Sequence, residues 1–303
     1  MLVRALLVIV LAITLSAADL KIDHITIAGK DLAKMRAVLS AAGIPTEYGG
    51  PHANHATEMA LSTFSDGSYL ELIAAQPKAD PVALMHHEWS AQIQGNAGPG
   101  AWAARVADIG VERSRLQAAG VQVSELEKSG RARPDGFQLK WETAQVGSAT
   151  RGTFFPFLIR DFTPREQRTG KALNNGILGV SRVVIAVRDL QASIARFRKA
   201  YGWPEPLFVD DPAFGGRVAV FADTPVALTA PHDESSWVST RLEQFGEGPC
   251  GIVFRASAKN PLKKELGELV ARKSPERPMR YPVGWLKVGS VAPGAIPWHL
   301  GIE

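Results

Sequence analysis

The runs KIDHITIAGKDL (residues 21–32) and DGSYLELIAA (residues 66–75) bracket the stretch whose reading decides the fold. Ile22 to Ala28 is rich in β-branched residues and reads as a strand carrying one histidine, His24. Asp31 is placed to cap a helix whose apolar residues Leu32, Met35, Val38, Leu39 and Ala42 recur at helical spacing. Gly43 and Pro45 stop that helix. Met59 to Phe64 reads as a strand, Asp66-Gly67 as a hairpin turn, and Tyr69 to Ala74 as the returning strand, carrying one glutamate, Glu71. The unit is βαβββ, with a potential ligand on its first strand and another on its last.

The unit recurs along the chain. SRVVIAVRDLQASIARFRKAYGWP (181–204) repeats DHITIAGKDLAKMRAVLSAAGIP (23–45) with one inserted residue, pairing Ile27 with Ile185, Asp31 with Asp189, Leu32 with Leu190 and Gly43 with Gly202. Self-similarity of this kind is a fold-level signal. Between the two copies, AWAARVADI (101–109) reads as a strand running into a cap at Asp108, followed by the helix VERSRLQAAG (111–120). Arg133-Pro134-Asp135-Gly136 has turn composition, Phe137 to Val146 alternates as a strand does, and Phe154 to Ile159 closes the second unit. Arg217 to Phe221 and Val226 to Ala230 read as later strands of the third unit. CGIVFRA (250–256) opens a fourth, whose helix Asn260 would cap, with Leu262, Leu266, Leu269 and Val270 as its stripe. Trp285 to Ser290 and Pro297 to Ile302 end the chain as strands.

The expected architecture is α+β. Four βαβββ modules, paired 1 with 2 and 3 with 4, form two cup-shaped mixed sheets. The polar run Arg160 to Gly179 is the best boundary, giving one domain over 19–165, a linker over 166–179 and a second, degenerate domain over 180–303. Pro77 to Gly100 crosses between the first two units, with one short helix expected around Val82 to Gln94.

Composition narrows the function classes. The chain has 303 residues, 46% hydrophobic and 21% charged, which is globular and large enough for two cores. Net charge is +4, but the basic residues are scattered, so charge gives no argument for nucleic acid. A single cysteine, Cys250, rules out an internal disulfide framework and reads as an inert buried thiol. MLVR followed by the eleven-residue apolar region ALLVIVLAITL and by Ser16-Ala17-Ala18 reads as an export signal cleaved after Ala18. The apolar run is shorter than the ~20 residues of a membrane span, so no stable insertion is expected after cleavage. The expected location is secreted or periplasmic. No GxSxG or Walker A run occurs, and neither a serine nucleophile elbow nor a nucleotide cofactor is expected.

These runs resemble the vicinal oxygen chelate superfamily (glyoxalase I, extradiol dioxygenases, bleomycin-resistance proteins), and more narrowly its bacterial glyoxalase-like domain proteins. The resemblance is carried by DHITIAGKDL, GGPHANHATEMALSTFSDGSYLELIA, GAWAARVADI, SGRARPDGFQLKWE and FFPFLIRDFTPR, over roughly residues 20 to 165. It implies sheets curled into cups with a small-molecule or divalent-metal site (Zn, Mn, Fe, Ni or Co) inside. Members pair their units within one chain or across a homodimer.

Carried across the repeats, His24 corresponds to about Ala101, Arg182 and Gly251, and Glu71 to about Phe157, Ala227 or Leu228, and Trp298 or His299. A full ligand quartet is therefore absent from both cups. His24 and Glu71 stay together only in the first, where His52 or His55 would be a third metal ligand. Without metal, His24 and Glu71 are a pair suited to general acid–base work. Arg131, Arg133 and Trp141 read as an edge that binds an anion, with His52 and Trp102 as further substrate contacts, although Trp102 also reads as a core residue. His86-His87 reads as a solvated helix face. The expected function is binding of a small oxygenated, anionic metabolite with isomerase- or lyase-type proton transfer. The alternative is a binding or sequestering protein without turnover.

Overall fold

The computed structural model describes residues 18–133, 135–257, 284–288 and 291–303. The expected Asn260 helix, the turn residue Pro134 and all of the export signal but Ala18 lie outside the described residues.

The first module is β1 (Lys21–Ala28), α1 (Leu32–Ala41), β2 (Glu47–Pro51), β3 (Thr57–Thr63) and β4 (Tyr69–Ala75). The Asp31 side chain accepts from the Lys34 backbone N–H and caps α1, as its position in the sequence predicts. The crossing segment holds two short helices, α2 (Pro81–Met85) and α3 (Ser90–Gly95), where the sequence suggested one. The second module is β5 (Gly98–Arg105), α4 (Ile109–Ala118), β6 (Glu127–Ala132), β7 (Gln138–Ala144) and β8 (Phe157–Asp161). A short helix α5 (Arg165–Thr169) follows. The second half contains β9 (Ile177–Ala186), α6 (Leu190–Tyr201), β10 (Leu207–Asp211), β11 (Gly216–Val220), β12 (Val226–Ala230), α7 (Trp237–Phe245), β13 (Gly248–Ala256), β14 (Gly284–Lys287) and β15 (His299–Ile302).

The modules pair within the chain. The first sheet has the order β2-β3-β4-β1-β5-β8-β7-β6 and the second β10-β11-β12-β9-β13-β15-β14. At the centre of the first, β1 runs antiparallel to β5, while each pairs in parallel with the last strand of its own module, β4 and β8. The second sheet repeats this around β9 and β13. This is the α+β, two-cup architecture of the glyoxalase/dioxygenase fold.

Strand alternation sends one set of side chains to a core shared by both sheets and the other into the cups. Ile25, Ile27, Leu70, Leu72 and Trp102 from the first sheet meet Val183, Ile185, Ile252 and Phe254 from the second in one cluster, with α1, α4 and α6 packed on it. Phe197 of α6 is fully buried there, its ring 5.0 Å from Phe154 and 4.9 Å from Phe155 of the first half. Gly98 sits at φ +68° against the Trp298 indole, and a Cβ there would come within 2.5 Å of the ring. Arg241 of α7 is buried and donates from Nη2 to the carbonyls of Pro99 on β5 and Pro249 on β13, joining the two central strands.

The cups differ in content. Val184, Ala186, Val218, Val220, Ala227 and Val253 fill the second together with Val238 and Leu242 of α7. His299 lies inside it, stacked on Trp237 with ring centres 3.8 Å apart, and burial brings its pKa down to about 4. Cys250 is buried there too, its thiol pushed up to about 12 by burial, as an inert thiol should be. In the first cup, α2 and α3 cover only one end. Trp89 and Ile93 pack on Ala28, Ile73 and Phe157, and a polar cavity remains beyond them.

Candidate functional site

The cavity of the first cup measures about 330 Å³, at the lower end of ligand-pocket sizes. His24 and Glu71 both face it because they sit on adjacent parallel strands in matched register, His24 opposite Tyr69 and Thr26 opposite Glu71. The His24 side chain is 4% exposed. Its Nδ1 lies 2.7 Å from Asp23 Oδ1 and its Nε2 lies 3.7 Å from Glu71 Oε2. Tyr69 stacks on the imidazole at 4.7 Å, and Phe157 meets its edge at 5.4 Å. The ring is held on every side except the one facing Glu71.

Asp23 is fully buried and clamped by α5. Arg165 Nη1 bonds its Oδ2, and Arg168 Nη2 reaches both its oxygens at 3.1 and 3.3 Å. Arg168 also donates to Asp161 at 2.5 Å and to the Tyr69 hydroxyl. Burial favours the neutral form of Asp23, but Arg168, the His24 hydrogen bond and Arg165 outweigh it and hold the carboxyl far below the usual carboxylate range. Burial pushes the Tyr69 phenol well above its ordinary value against the pull of Arg168, so the ring stays neutral.

On the other side of Glu71, His52 Nε2 lies 3.9 Å from Oε1, and its Nδ1 is 2.8 Å from Thr57 Oγ1. Burial lowers the His52 pKa, Glu71 opposes this and Arg131 adds to it. Arg131, on the edge strand β6, lines the cavity and donates to the Gly49 carbonyl at 3.3 Å. Among the described residues no carboxylate lies within 4 Å of it, and burial lowers its pKa while Glu71 opposes. The other cavity guanidiniums are paired: Arg168 with Asp23 and Asp161, and Arg151 with Glu88 and Glu127 at 3.2 and 2.8 Å across the mouth.

The structure thus brings His24, Glu71, His52, Arg131 and Trp141 to one cavity. It does not bring the other expected residues there. Trp102 is fully buried on the core face, donating to the Phe154 carbonyl at 3.2 Å, because strand alternation turns it away from the cup. Arg133 lies beyond the end of β6, held by Asp135 at 2.8 Å and Gln167 at 2.7 Å. His55 is an exposed loop residue with φ 57°, and its carbonyl accepts from Asp80. His87, expected on a solvated face, lines the cavity, and burial lowers its pKa. Sequence reading missed Asp23, Tyr69, Arg151 and Arg168. The Asp23-His24 adjacency was a readable signal, whereas Arg168 lies in a run whose composition reads as linker.

Two imidazoles and one carboxylate are a donor set that divalent transition metals accept, and each ring has its Nδ1 held by a second partner, as metal-bound histidines do. Donors on one ion at ~2.1 Å stand roughly 3–3.5 Å apart, closer than the 3.7 and 3.9 Å separations around Glu71. Among the described residues no three His, Cys, Asp or Glu side chains are placed to hold a metal ion. The residues do not fit a metal as arranged.

A family model described as "Glyoxalase-like domain" matches residues 22–201, from β1 through α6. The chain belongs to the glyoxalase-like domain family. No curated protein sequence matches it. Among solved structures, this glyoxalase-like chain is similar to a hypothetical protein from Staphylococcus aureus at 12% identity and TM-score 0.59, covering 94% of this chain and all of the other. It is similar to a variant of 4-hydroxymandelate synthase from Streptomyces coelicolor at 13% identity and TM-score 0.50, covering 83% of this chain and 73% of that one. A xylose isomerase-like TIM barrel/4-hydroxyphenylpyruvate dioxygenase fusion protein matches at 13% identity and TM-score 0.52, over 94% of this chain and 49% of that one. These likenesses place the glyoxalase-like chain in the vicinal oxygen chelate fold, whose families bind small-molecule ligands and usually a divalent metal.

Proposed function

We propose that the first cup binds a small oxygenated anion and moves a proton on it, in an isomerase- or lyase-type step. The observation that carries this reading is Arg131. It is a half-buried guanidinium without a carboxylate partner among the described residues, lining the same cavity as Glu71 and its two imidazoles. A carboxylate or enolate-forming anion would complete it through a charge-assisted pair. Met59, Leu61, Ile73 and Ile159 give the ligand body an apolar wall. Glu71 is the proton acceptor that stands between the Nε2 atoms of the two imidazoles, and His24, fixed by Asp23, passes or returns the proton at Nε2.

The test is exchange of substrate C–H protons in D₂O across a panel of small 2-oxo and 3-oxo carboxylates, read by NMR. Exchange by the wild type and its loss in Glu71→Gln support the reading. Binding without exchange in both would leave a sequestering protein, a reading favoured by the second cup, where the same fold is packed shut with apolar side chains. An exported location is part of the proposal and rests on residues 1–18. The N-terminal residue of the protein recovered from its host, read by mass spectrometry, tests it.

A further inference from the structure

Asp23 neither takes nor gives the proton in that step, yet it is the most heavily engaged carboxylate of the cup. It is wholly buried, its Oδ1 lies 2.7 Å from His24 Nδ1, and two arginines of α5 take its remaining lone pairs. A carboxylate in this setting can only accept, so the proton between Asp23 and His24 belongs to Nδ1. The other ring nitrogen then carries a lone pair, and among the described residues the only acid within 4 Å of it is Glu71, at 3.7 Å.

The arginines come from the segment that joins the two halves. Arg165 also donates from Nε to the Gly67 carbonyl at 2.7 Å, and from Nη2 to the Asp23 carbonyl at 3.2 Å. Arg168 ties Asp23 to Asp161 and to Tyr69, the ring on which His24 stacks. Behind α5, the Thr63 hydroxyl donates to the Thr169 carbonyl, and Leu173 N–H donates to Thr63 O at 2.8 Å. The segment is docked on the first sheet as a fixed part of the cup.

We infer that Asp23, clamped by Arg165 and Arg168, is a positioning residue that fixes His24 as the Nδ1–H tautomer and presents Nε2 to the cavity as an acceptor. The inference rests on the reading of the first cup as the functional site and assigns the connecting helix α5 a role in it. Removing an orienting carboxylate while keeping its shape is known to leave a histidine in the wrong tautomer.

The experiment is long-range ¹H–¹⁵N correlation on the full chain with ¹⁵N-labelled histidine, dialysed against chelator, at pH 8. His24 is assigned by its loss in His24→Gln. The wild type is expected to show protonated Nδ1 and bare Nε2. Asp23→Asn is expected to shift His24 toward Nε2–H, and Tyr69→Phe, which keeps Asp23 and both arginines while removing one Arg168 partner, is expected to keep the wild-type pattern. A wild-type His24 carrying its proton on Nε2, or on both nitrogens, overturns the inference. So does an unchanged tautomer in folded Asp23→Asn. If Asp23→Asn does not fold, the wild-type spectrum still decides. Ligand binding through Arg131 is read separately, so a failed tautomer assignment and a failed binding site give different results.

Discussion

His24 Nε2 and Glu71 Oε2 stand 3.7 Å apart on neighbouring strands, and His52 Nε2 approaches the other oxygen of the same carboxylate at 3.9 Å. Glu71 is therefore the hub of the cup. Glu71→Gln keeps the shape but removes the charge that faces both rings. It should cut proton exchange at least 10²-fold, the lower range of a general acid–base contribution. Its thermal midpoint should move by only a few degrees, since a 16% exposed side chain is being replaced by its isostere. Steady-state exchange rates and a melting curve check both. Unchanged exchange would remove Glu71 from the chemistry.

Stability should fall between neutral pH and pH 4. His52, His87 and His299 all have pKa values lowered by burial, His299 to about 4. A histidine whose folded value lies below its unfolded value of about 6.5 contributes its full stability above that value and loses it as pH falls. For His299 the window runs from about 6.5 to about 4, and the loss is on the order of 3 kcal/mol. Urea midpoints at pH 7.5 and 5 should differ in the wild type, and the difference should shrink in His299→Gln to the part that His52 and His87 contribute. An equal drop in that variant would remove His299 as a cause.

The shared core makes the halves interdependent. Phe197→Ala deletes a fully buried ring that touches Phe154 and Phe155 of the first half. The expected cost is about 3–5 kcal/mol, from the lost burial and the cavity left behind. Calorimetry should show one transition moved down as a whole. Two separated transitions, with only one displaced, would contradict a common core.

The fold was legible because it is written in periodicity. The αβ repeat at 23–45 and 181–204, the caps Asp31, Asp108 and Asp189, and the alternating strands all correspond to local energetics that any copy of the module must satisfy. The lining of the candidate site was legible only where a polar residue interrupts an apolar strand, as His24 and Glu71 do. Arg131, singled out for its guanidinium chemistry beside a turn, lines the cavity. Arg133, two residues on, was over-read because the end of β6 is not visible in composition. Trp102 was over-read because the β5 face that carries it was not fixed by alternation: GPGAWAAR is buried on both sides. Arg165 and Arg168 were missed for the opposite reason. They act across 142 and 145 residues, and only tertiary contact joins them to Asp23.

The most direct test of the account is a thermal-shift screen with small carboxylates and their neutral amides, on the wild type, Arg131→Met and Arg133→Met. Binding to the folded state raises the midpoint in proportion to affinity and ligand concentration. Carboxylates should stabilise the wild type and Arg133→Met alike, their amides should not, and the shift should be lost in Arg131→Met. Carboxylate stabilisation that survives Arg131→Met would contradict it.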